Sequence, residues 1–323
     1  MIKRILLILL SALVFVSCSA EIISPSGNSS SGGNNQSGGG TVEPIPPSGP
    51  TEEELISKYG IDIGLDDAVI SQKIEENLKA YYEEMTSYRL IFTGIPKDYM
   101  GKAESLSILI VKSAMKVNNA KNIDIDIRNI DFQNETINTG MFSGETIDDT
   151  INLNFIFPED KIKTIASMSF DNLYNIREII LPDSITSIEN YAFNNCQNIE
   201  KLTLGNGLKT IGDYAFLALE YLKELVIPNS VISIGIGAFA QSEAREKITI
   251  PESVKTIGMG AFLSCPNLTT VIYYGTSPTD INNNDALLYC YKLTTLIVPN
   301  ASDINDSAWK TFLGANFTTV KKQ

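Results

Sequence analysis

A spacing of 23 residues runs through the second half of the chain. Phenylalanines recur at this spacing, at Phe170, Phe193, Phe216, Phe239 and Phe262. Isoleucines keep the same period five positions earlier, at Ile165, Ile188, Ile211, Ile234 and Ile257. A fixed period in this range is typical of a solenoid, in which each unit buries its apolar face only against its neighbours. We therefore expect any functional site on an exposed surface rather than in an enclosed pocket.

Alignment at this period sorts the repeat into columns of equivalent positions, and three further columns are apolar. They contain Ile179, Leu202, Leu225, Ile248 and Val271; Leu181, Leu204, Ile227, Ile250 and Tyr273; and Ile162, Ile185, Leu208, Val231 and Val254. Pro182, Pro228 and Pro251 close the first strand of their repeats. The spacing stretches to 25 at Leu296 and Pro299, which indicates an insertion near residues 278–285.

The unit reads L-x-L-P-x-S-V-x-x-I-G-x-x-A-F-x-x-C-x-x-L, and residues 256–268 are a close copy. This pattern resembles the BspA-like leucine-rich repeat, which is common in bacterial surface proteins. The resemblance covers about residues 161–301 and implies an α+β solenoid. Residues 306–310 and 317–320 look like the family's C-terminal helix and strand. They imply a C-terminal cap over residues 302–323, in which Trp309 seals the last repeat.

The sequence before the repeats, residues 51–160, predicts a helical lead-in followed by an N-terminal cap. Residues 88–92 suggest a strand, 103–117 a helix and 123–127 an alternating strand. This β–α–β unit and a degenerate repeat with Phe142 and Pro158 make up residues 88–160. In residues 51–87, Thr51 is a helix N-cap, and a second helix runs from Asp66 to about Met85. Its apolar stripe, Val69, Ile70, Ile74, Leu78 and Tyr81, fits a structural spacer or a partner-binding helix.

The first 18 residues read as a targeting signal. Lys3 and Arg4 precede the uncharged apolar run 5–16, which is too short to span a bilayer. The run ends in Phe15-Val16-Ser17-Cys18, which looks like the lipobox of a bacterial lipoprotein, with a looseness at Phe15 that resembles spirochaete lipoproteins. That resemblance implies cleavage before Cys18 and lipidation of Cys18. The alternative is an ordinary secretory signal with an incidental cysteine. The Ser/Gly/Pro-rich residues 19–50 predict a flexible linker.

Net charge and the absence of histidine argue against several classes of function. The formal net charge of −13 argues against nucleic acid and against electrostatic adhesion to anionic lipid. Histidine is absent, which removes the commonest general base and metal ligand. A hydrolase using two carboxylates would need two acids that converge in a pocket, and no motif supplies them. We expect a non-enzymatic, monomeric protein without a cofactor.

Two groups of acidic residues resemble metal-binding patterns, but each is explained without a metal. Asp124 and Asp126 alternate with isoleucines, so we expect both on the solvent side of a strand. Residues 280–285 begin like an EF-hand loop, but Asp285 occupies the position of the turn glycine and Tyr291 that of the bidentate glutamate. The run is better explained as the insertion loop of the last repeat. We therefore predict no metal site.

The remaining cysteines fall in one column of the repeat. Cys196, Cys265 and Cys290 align with Leu173, Leu219 and Ser242. Cysteine that exchanges with leucine behaves as a small buried hydrophobe. We expect buried thiols, with one bridge between Cys265 and Cys290 geometrically allowed because their repeats are adjacent.

The outward columns of the first strand contain the candidate ligand surface. Glu178, Lys201, Glu224 and Lys247 alternate in sign, so we expect each glutamate to pair with a neighbouring lysine. The next outward column is β-branched and leaves apolar area exposed. It consists of Ile180, Thr203, Val226, Thr249, Ile272 and Ile297. Tyr273, Tyr274, Tyr289 and Tyr291 add aromatic density near the C-terminal end, and tyrosine is favoured at interfaces.

These features predict a lipid-anchored protein whose solenoid binds another protein. The family resemblance implies adhesin-like behaviour toward host matrix or host cell-surface proteins, with the chain on the outer-membrane surface. The alternative is an envelope scaffold that faces the periplasm and binds bacterial partners. Proteolysis of intact cells separates these two hypotheses.

Overall fold

The computed structural model describes residues 49–100, 104–144, 147–243, 246–282 and 285–323. The predicted signal with Cys18, the predicted linker up to residue 48, and Asn283 and Asn284 of the acidic loop lie outside these residues. Within the described ranges, no helix combines the length and the apolar character needed to cross a bilayer.

Helices and parallel strands alternate in the first part of the described chain. Their bounds are α1 Glu52–Tyr59, β1 Gly60–Asp62, α2 Asp67–Met85, β2 Arg89–Gly94, α3 Leu106–Ala114, β3 Asn122–Ile130, the 3₁₀ turn Gln133–Glu135, β4 Thr136–Ile137 and β5 Asn152–Ile156. The helix start at Thr51 is confirmed, because its hydroxyl accepts a 3.2 Å hydrogen bond from the Glu54 N–H. The β–α–β unit is also present, as β2, α3 and β3. Strand β1 was missed because it begins directly where α1 ends.

The first sheet has the order β1-β2-β3-β5, and its paired strands are parallel. Helix α2 buries Ile70, Ile74 and Leu78 in the same apolar core that continues into the repeats. Tyr81 joins a smaller cluster with Leu55, Tyr59 and Ile91 on α1 and β2. Val69, at the start of the predicted stripe, is 40% exposed. Because the other four residues of the stripe are buried inside the chain's own core, the structure favours a structural role for α2 over a partner-binding one.

Two series of short parallel strands build the repeats. The first series is β4, β6 Thr164–Ile165, β8 Ser187–Ile188, β10 Thr210–Ile211, β11 Ser233–Ile234 and β13 Thr256–Ile257. The second series is β7 Glu178–Ile180, β9 Lys201–Thr203, β12 Lys247–Ile250, β14 Thr270–Tyr273, β15 Thr295–Ile297 and β16 Thr319–Lys321. Ile211 pairs with Ile234, 23 positions on, and Val271 pairs with Leu296, 25 positions on. This arrangement is the predicted α+β leucine-rich-repeat solenoid.

The phenylalanine column forms a continuous stack in the core. Consecutive rings from Phe170 to Phe262 lie 4.7, 5.2, 5.3 and 5.7 Å apart with interplanar angles of 10° or less. All five side chains are fully buried. Phe142 of the degenerate repeat extends the stack and lies 5.1 Å from Phe170. The three apolar columns are buried as predicted.

The turn around each phenylalanine uses left-handed backbone at two positions per repeat. The first set is Met168, Tyr191, Tyr214, Gly237 and Gly260, and the second is Asn172, Asn195, Ala218, Gln241, Ser264 and Tyr289. Most members are not glycine, although L residues occupy this region at a cost of about 1–2 kcal/mol. The neighbouring coils hold the turn in place: the N–H of Phe216 donates to Ala238 O at 2.8 Å. The sequence pattern did not reveal this feature.

The C-terminal residues close the stack with aromatic side chains. The helix expected at residues 306–310 is present as a distorted 3₁₀ helix, Ser307–Gly314, whose backbone departs from helical geometry at Thr311–Leu313. Trp309 is fully buried, lies 6.2 Å from the Tyr273 ring and donates from Nε1 to Asp303 O at 2.9 Å. Strand β16 pairs with β15. Tyr273 therefore belongs to the core and not to the predicted aromatic surface.

The prediction for Asp126 is wrong, because this carboxylate is fully buried. It shares a sheet face with Ile91, and α1 covers that face. Arg128 donates to it from Nε and Nη2, both at 2.9 Å, and Arg89 Nη2 donates at 2.6 Å. Arg89 also reaches Glu52 on α1 at 2.7 Å. Burial alone would raise the pKa of Asp126, but the hydrogen bonds from Arg128 and Arg89 outweigh it and hold the pKa below its ordinary value.

The cysteine prediction is confirmed. Cys196, Cys265 and Cys290 are buried thiols. Each Sγ donates to the carbonyl of a core phenylalanine: Cys196 to Phe170 at 3.0 Å and Cys290 to Phe262 at 3.2 Å. Burial raises the pKa of the Cys196 thiol, which keeps it protonated at neutral pH. These cysteines therefore act as core residues.

The acidic loop of the last repeat completes the edge of a sheet. Asn282 Oδ1 accepts from the Ile257 N–H at 2.8 Å, and its Nδ2 donates to Ile257 O at 3.1 Å. The side chain thus imitates the next strand beside β13. Asp280 Oδ2 accepts from Thr276 N–H and Ser277 N–H at 2.7 and 2.9 Å. Among the described residues, no group of three or more Cys, Asp or Glu side chains converges to hold a metal ion.

Candidate binding surface

The β-branched column of the first strand is exposed at one end and covered at the other. Ile180 is 54% exposed, Val226 is 70% exposed, and Thr203 is also open to solvent. Thr249 and Ile297 are half-buried, and Ile272 retains only 9% exposure. Alternation along a strand turns this column away from the core, but its members are less exposed in the later repeats. Ile272 is therefore wrongly assigned to the ligand surface.

The ladder of first strands is interrupted around Val226. Strands β7 and β9 form one sheet and β12, β14, β15 and β16 another. Within the described residues, an isolated bridge from Val226 to Thr249 is the pairing that joins residues 224–227 to this ladder. Pro228 and Pro251 contribute to the break because each lacks an N–H. At the corresponding position of a later repeat, Tyr274 N–H donates to Ile250 O at 3.1 Å.

The interruption opens a depression of about 770 Å³ between two coils. Its walls include Thr203, Leu204 and Asn206 on one coil and Val226 and Pro228 on the next. A depression of about 430 Å³ shares Thr203, and one of about 420 Å³ shares Val226. Together they form a continuous track, here named the strand face and defined by Ile180, Thr203, Val226 and Thr249 with their flanking side chains.

The charges beside the strand face are only partly neutralised, which corrects the predicted alternation of ion pairs. Lys201 Nζ lies 2.5 Å from Glu178 Oε1, as expected. Glu200, outside the predicted column, instead pairs with Lys223 at 2.9 Å, and the hydrogen bond from Lys223 holds the pKa of Glu200 below its ordinary value. Glu224 and Lys247 form no ion pair within the described part of the chain. Both signs of charge are thus available to a partner beside Val226.

The structure separates the predicted tyrosine patch into different sites. Tyr289 and Tyr291 lie together, with ring centroids 6.1 Å apart, and are 57% and 83% exposed. Tyr274 is 40% exposed and lines another depression, beside Asn229 and Asn300. Neither this depression nor the surface around Tyr289 and Tyr291 is part of the strand face. The candidate residues therefore occupy three surfaces rather than one patch.

Sequence reasoning missed the break in the strand ladder and the residues that form its walls. Residues 224–227 carry the same alternating pattern as the paired strands, so the pattern contains no sign of the interruption. Pro228 and Pro251 in successive repeats are the one signal in the sequence, because proline cannot donate to a ladder.

Comparison with known families gives a match over more than half of the chain. The family model described as the BspA type leucine-rich repeat region matches in six copies, over residues 135–269 and 219–322. This range begins at β4 and reaches the C-terminal strand. A search of curated proteins gives no significant match.

Solved structures of bacterial leucine-rich repeat proteins are also similar. A protein from Bacteroides ovatus is 29% identical over 43% of this chain and 35% of its own, with a TM-score of 0.38, so the match spans about a third of that protein. A protein from T. pallidum is 23% identical over 55% of this chain and 69% of its own, with a TM-score of 0.41. A leucine-rich cell surface protein from Faecalibacterium prausnitzii is 16% identical over 62% and 78%, with a TM-score of 0.30.

Proposed function

The chain belongs to the BspA-type leucine-rich repeat family, and on that premise we propose that it is a non-enzymatic, lipid-anchored protein of a bacterial cell envelope. Its strand face binds another protein. The ligand is a protein of the host matrix or of the host cell surface, so the chain acts as an adhesin. The anchor is the lipid attached to Cys18, and the residues that follow act as a tether.

The exposed Val226 beside the break in the ladder carries this proposal. A β-branched side chain with 70% exposure buries little apolar area in the chain's own core, whereas the equivalent Ile272 is covered. Exposed apolar area flanked by polar groups marks protein-binding surfaces. Glu224 and Lys247, which lack internal partners among the described residues, supply charges that select a partner.

Binding of the full chain to an immobilised extract of host extracellular matrix, measured on a biosensor, tests the surface. A Thr203→Asp/Val226→Asp variant should bind at least about tenfold more weakly, because it places two charges at the centre of the interface. Met259→Asp, at an exposed apolar residue on another turn, is the matched control. Equal binding by the strand-face variant and the control would remove the strand face as the site.

The anchor and its orientation need separate experiments. Incorporation of labelled palmitate should be lost in Cys18→Ala, and retention of the label would contradict lipidation at Cys18. Protease added to intact cells should digest the chain if it lies on the outer-membrane surface. Protection until the outer membrane is opened would instead support the periplasm-facing scaffold.

A further inference from the structure

A second groove crosses the repeats on the turn that follows each phenylalanine. Its volume is about 510 Å³. Two columns of side chains line it, and each of four successive coils contributes one residue to each column. The first column is Ala218, Gln241, Ser264 and Tyr289, and the second is Glu220, Glu243, Pro266 and Tyr291. We name it the tyrosine groove, and none of these residues belongs to the strand face.

The left-handed turns shape this groove. Each member of the first column has a positive φ, of 59°, 54°, 55° and 60° in chain order. The core rings of neighbouring coils lie 5.3 and 5.7 Å apart. These two steps span about 11 Å, and a third step of similar size to the coil of Tyr289 makes the groove about 16 Å long, the length of about five extended residues at 3.3 Å each. Tyr289 and Tyr291 stand at its C-terminal end.

The same two columns are satisfied internally in the earlier coils. Asn195 Nδ2 donates to Asn172 Oδ1 at 2.7 Å and to Tyr174 Oη at 2.6 Å. Gln197 Nε2 donates to Asn195 Oδ1 at 2.9 Å. These polar side chains hydrogen-bond one another from coil to coil and close the surface. The polar side chains of an equivalent turn can therefore satisfy their hydrogen bonds within the chain.

The tyrosine groove lacks that internal network. Within the described residues, the side chains of Gln241, Ser264, Glu220 and Glu243 form no hydrogen bond or ion pair. Among the described residues, the groove lining carries two carboxylates and no positive charge. Two nearby lysines bind side chains outside the groove: Lys223 pairs with Glu200 at 2.9 Å and Lys292 with Asn267 at 2.6 Å. Within the described residues, the groove thus has polar side chains without internal partners, next to a pair of exposed tyrosine rings.

We propose that the tyrosine groove binds an extended, basic segment of a partner protein. An arginine or lysine of that segment pairs with Glu220 and Glu243, which lie one coil apart. Tyr289 and Tyr291 contact a second cation or its aliphatic stem, since exposed tyrosine rings attract cations. Gln241 and Ser264 hydrogen-bond the peptide backbone. This groove acts independently of the strand face.

Fluorescence anisotropy of a labelled six-residue peptide containing three arginines tests the proposal on the full chain. The same peptide with citrulline in place of arginine is the neutral probe. The arginine peptide should bind at least about fivefold more tightly, and the advantage should shrink as salt rises, because the contacts are exposed charge pairs. Equal affinity for the two peptides would overturn the proposal.

Matched variants separate the groove from the general acidity of the chain. Glu220→Gln/Glu243→Gln should lower the affinity for the arginine peptide about tenfold. The control Glu53→Gln/Glu83→Gln makes the same charge change at exposed helix positions and should change this affinity less than about twofold. Tyr289→Ala/Tyr291→Ala should cost about fivefold and the corresponding Phe pair less than about twofold. Equal losses in the two glutamate pairs would refute a specific site. All substituted side chains are solvent-accessible, and unchanged far-UV circular dichroism verifies folding.

Discussion

Phe216→Ala removes the central ring of the phenylalanine stack. The ring is fully buried and nearly parallel to Phe193 at 5.2 Å and to Phe239 at 5.3 Å. Each neighbouring ring is held by its own coil, so the surroundings cannot collapse into the space left behind. The variant therefore combines the loss of apolar burial with a cavity and two lost stacking contacts.

The magnitude follows from these losses. Truncation of a buried phenylalanine costs about 3–5 kcal/mol, and each stacked pair accounts for about 0.5–1.5 kcal/mol of it. We expect a loss of about 4 kcal/mol in the free energy of unfolding. With a urea dependence of about 3 kcal/mol per M, the unfolding midpoint falls by roughly 1.3 M. Phe216→Leu keeps most of the volume and should lose only about 1–2 kcal/mol.

Urea unfolding followed by far-UV circular dichroism measures these shifts. Met259→Ala is the control, because Met259 is large, apolar and exposed, and its truncation should change stability by less than about 0.5 kcal/mol. A midpoint for Phe216→Ala within error of the Met259→Ala midpoint would refute the assignment of this column to the core. In a solenoid the damage is local, so amide exchange should rise most in the coils beside residue 216.

Three further perturbations test other contacts. Asp126→Asn should cost about 3 kcal/mol at pH 7, because it leaves two arginines without their buried carboxylate. The pKa of Asp126 is held below 3.8 in the folded chain, so its contribution to stability is present above pH 3.8 and is lost as pH falls through the folded pKa. The urea midpoints of the wild type and of Asp126→Asn should therefore converge in acid. A difference in midpoint that stays constant with pH would contradict this account. Asn282→Ala should cost about 1–2 kcal/mol and speed exchange of the Ile257 N–H, while unchanged exchange would exclude the edge contact. Gly237→Ala should lower stability by about 1–2 kcal/mol, because φ is 59° and a Cβ would lie 2.5 Å from the Tyr214 ring; an unchanged melting temperature would contradict the strained turn.

The repeated part of the fold could be predicted because its contacts are periodic. A residue of one column touches the same column 23 positions away, so the apolar pattern of the sequence is also the pattern of the core. Phe216, Leu225 and Cys196 were placed correctly for this reason. The helices could be predicted from local signals, such as the hydroxyl of Thr51 and the spacing of Ile70, Ile74 and Leu78.

The features that escaped prediction depend on contacts between unlike segments. Asp126 is buried because α1, more than 60 residues earlier, covers its side of the sheet. The alternation around Asp126 looks the same whether that side meets water or a helix. Ile272 and Val226 occupy one column of the alignment, yet their exposed fractions are 9% and 70%. The position of a residue in the repeat alignment defines the direction of its side chain, but it does not define which other residues cover that side chain.

The sequence by itself determined that this chain is a solenoid with a phenylalanine core, because a period of 23 places each apolar column against its copy in the next repeat. Only the tertiary structure decided where the surface departs from that period. The break at residues 224–227 and the two carboxylates of the tyrosine groove, which form no ion pair within the described residues, arise from how successive coils fit together. Both proposed binding sites lie at these departures, because the periodic positions are already satisfied by their neighbours.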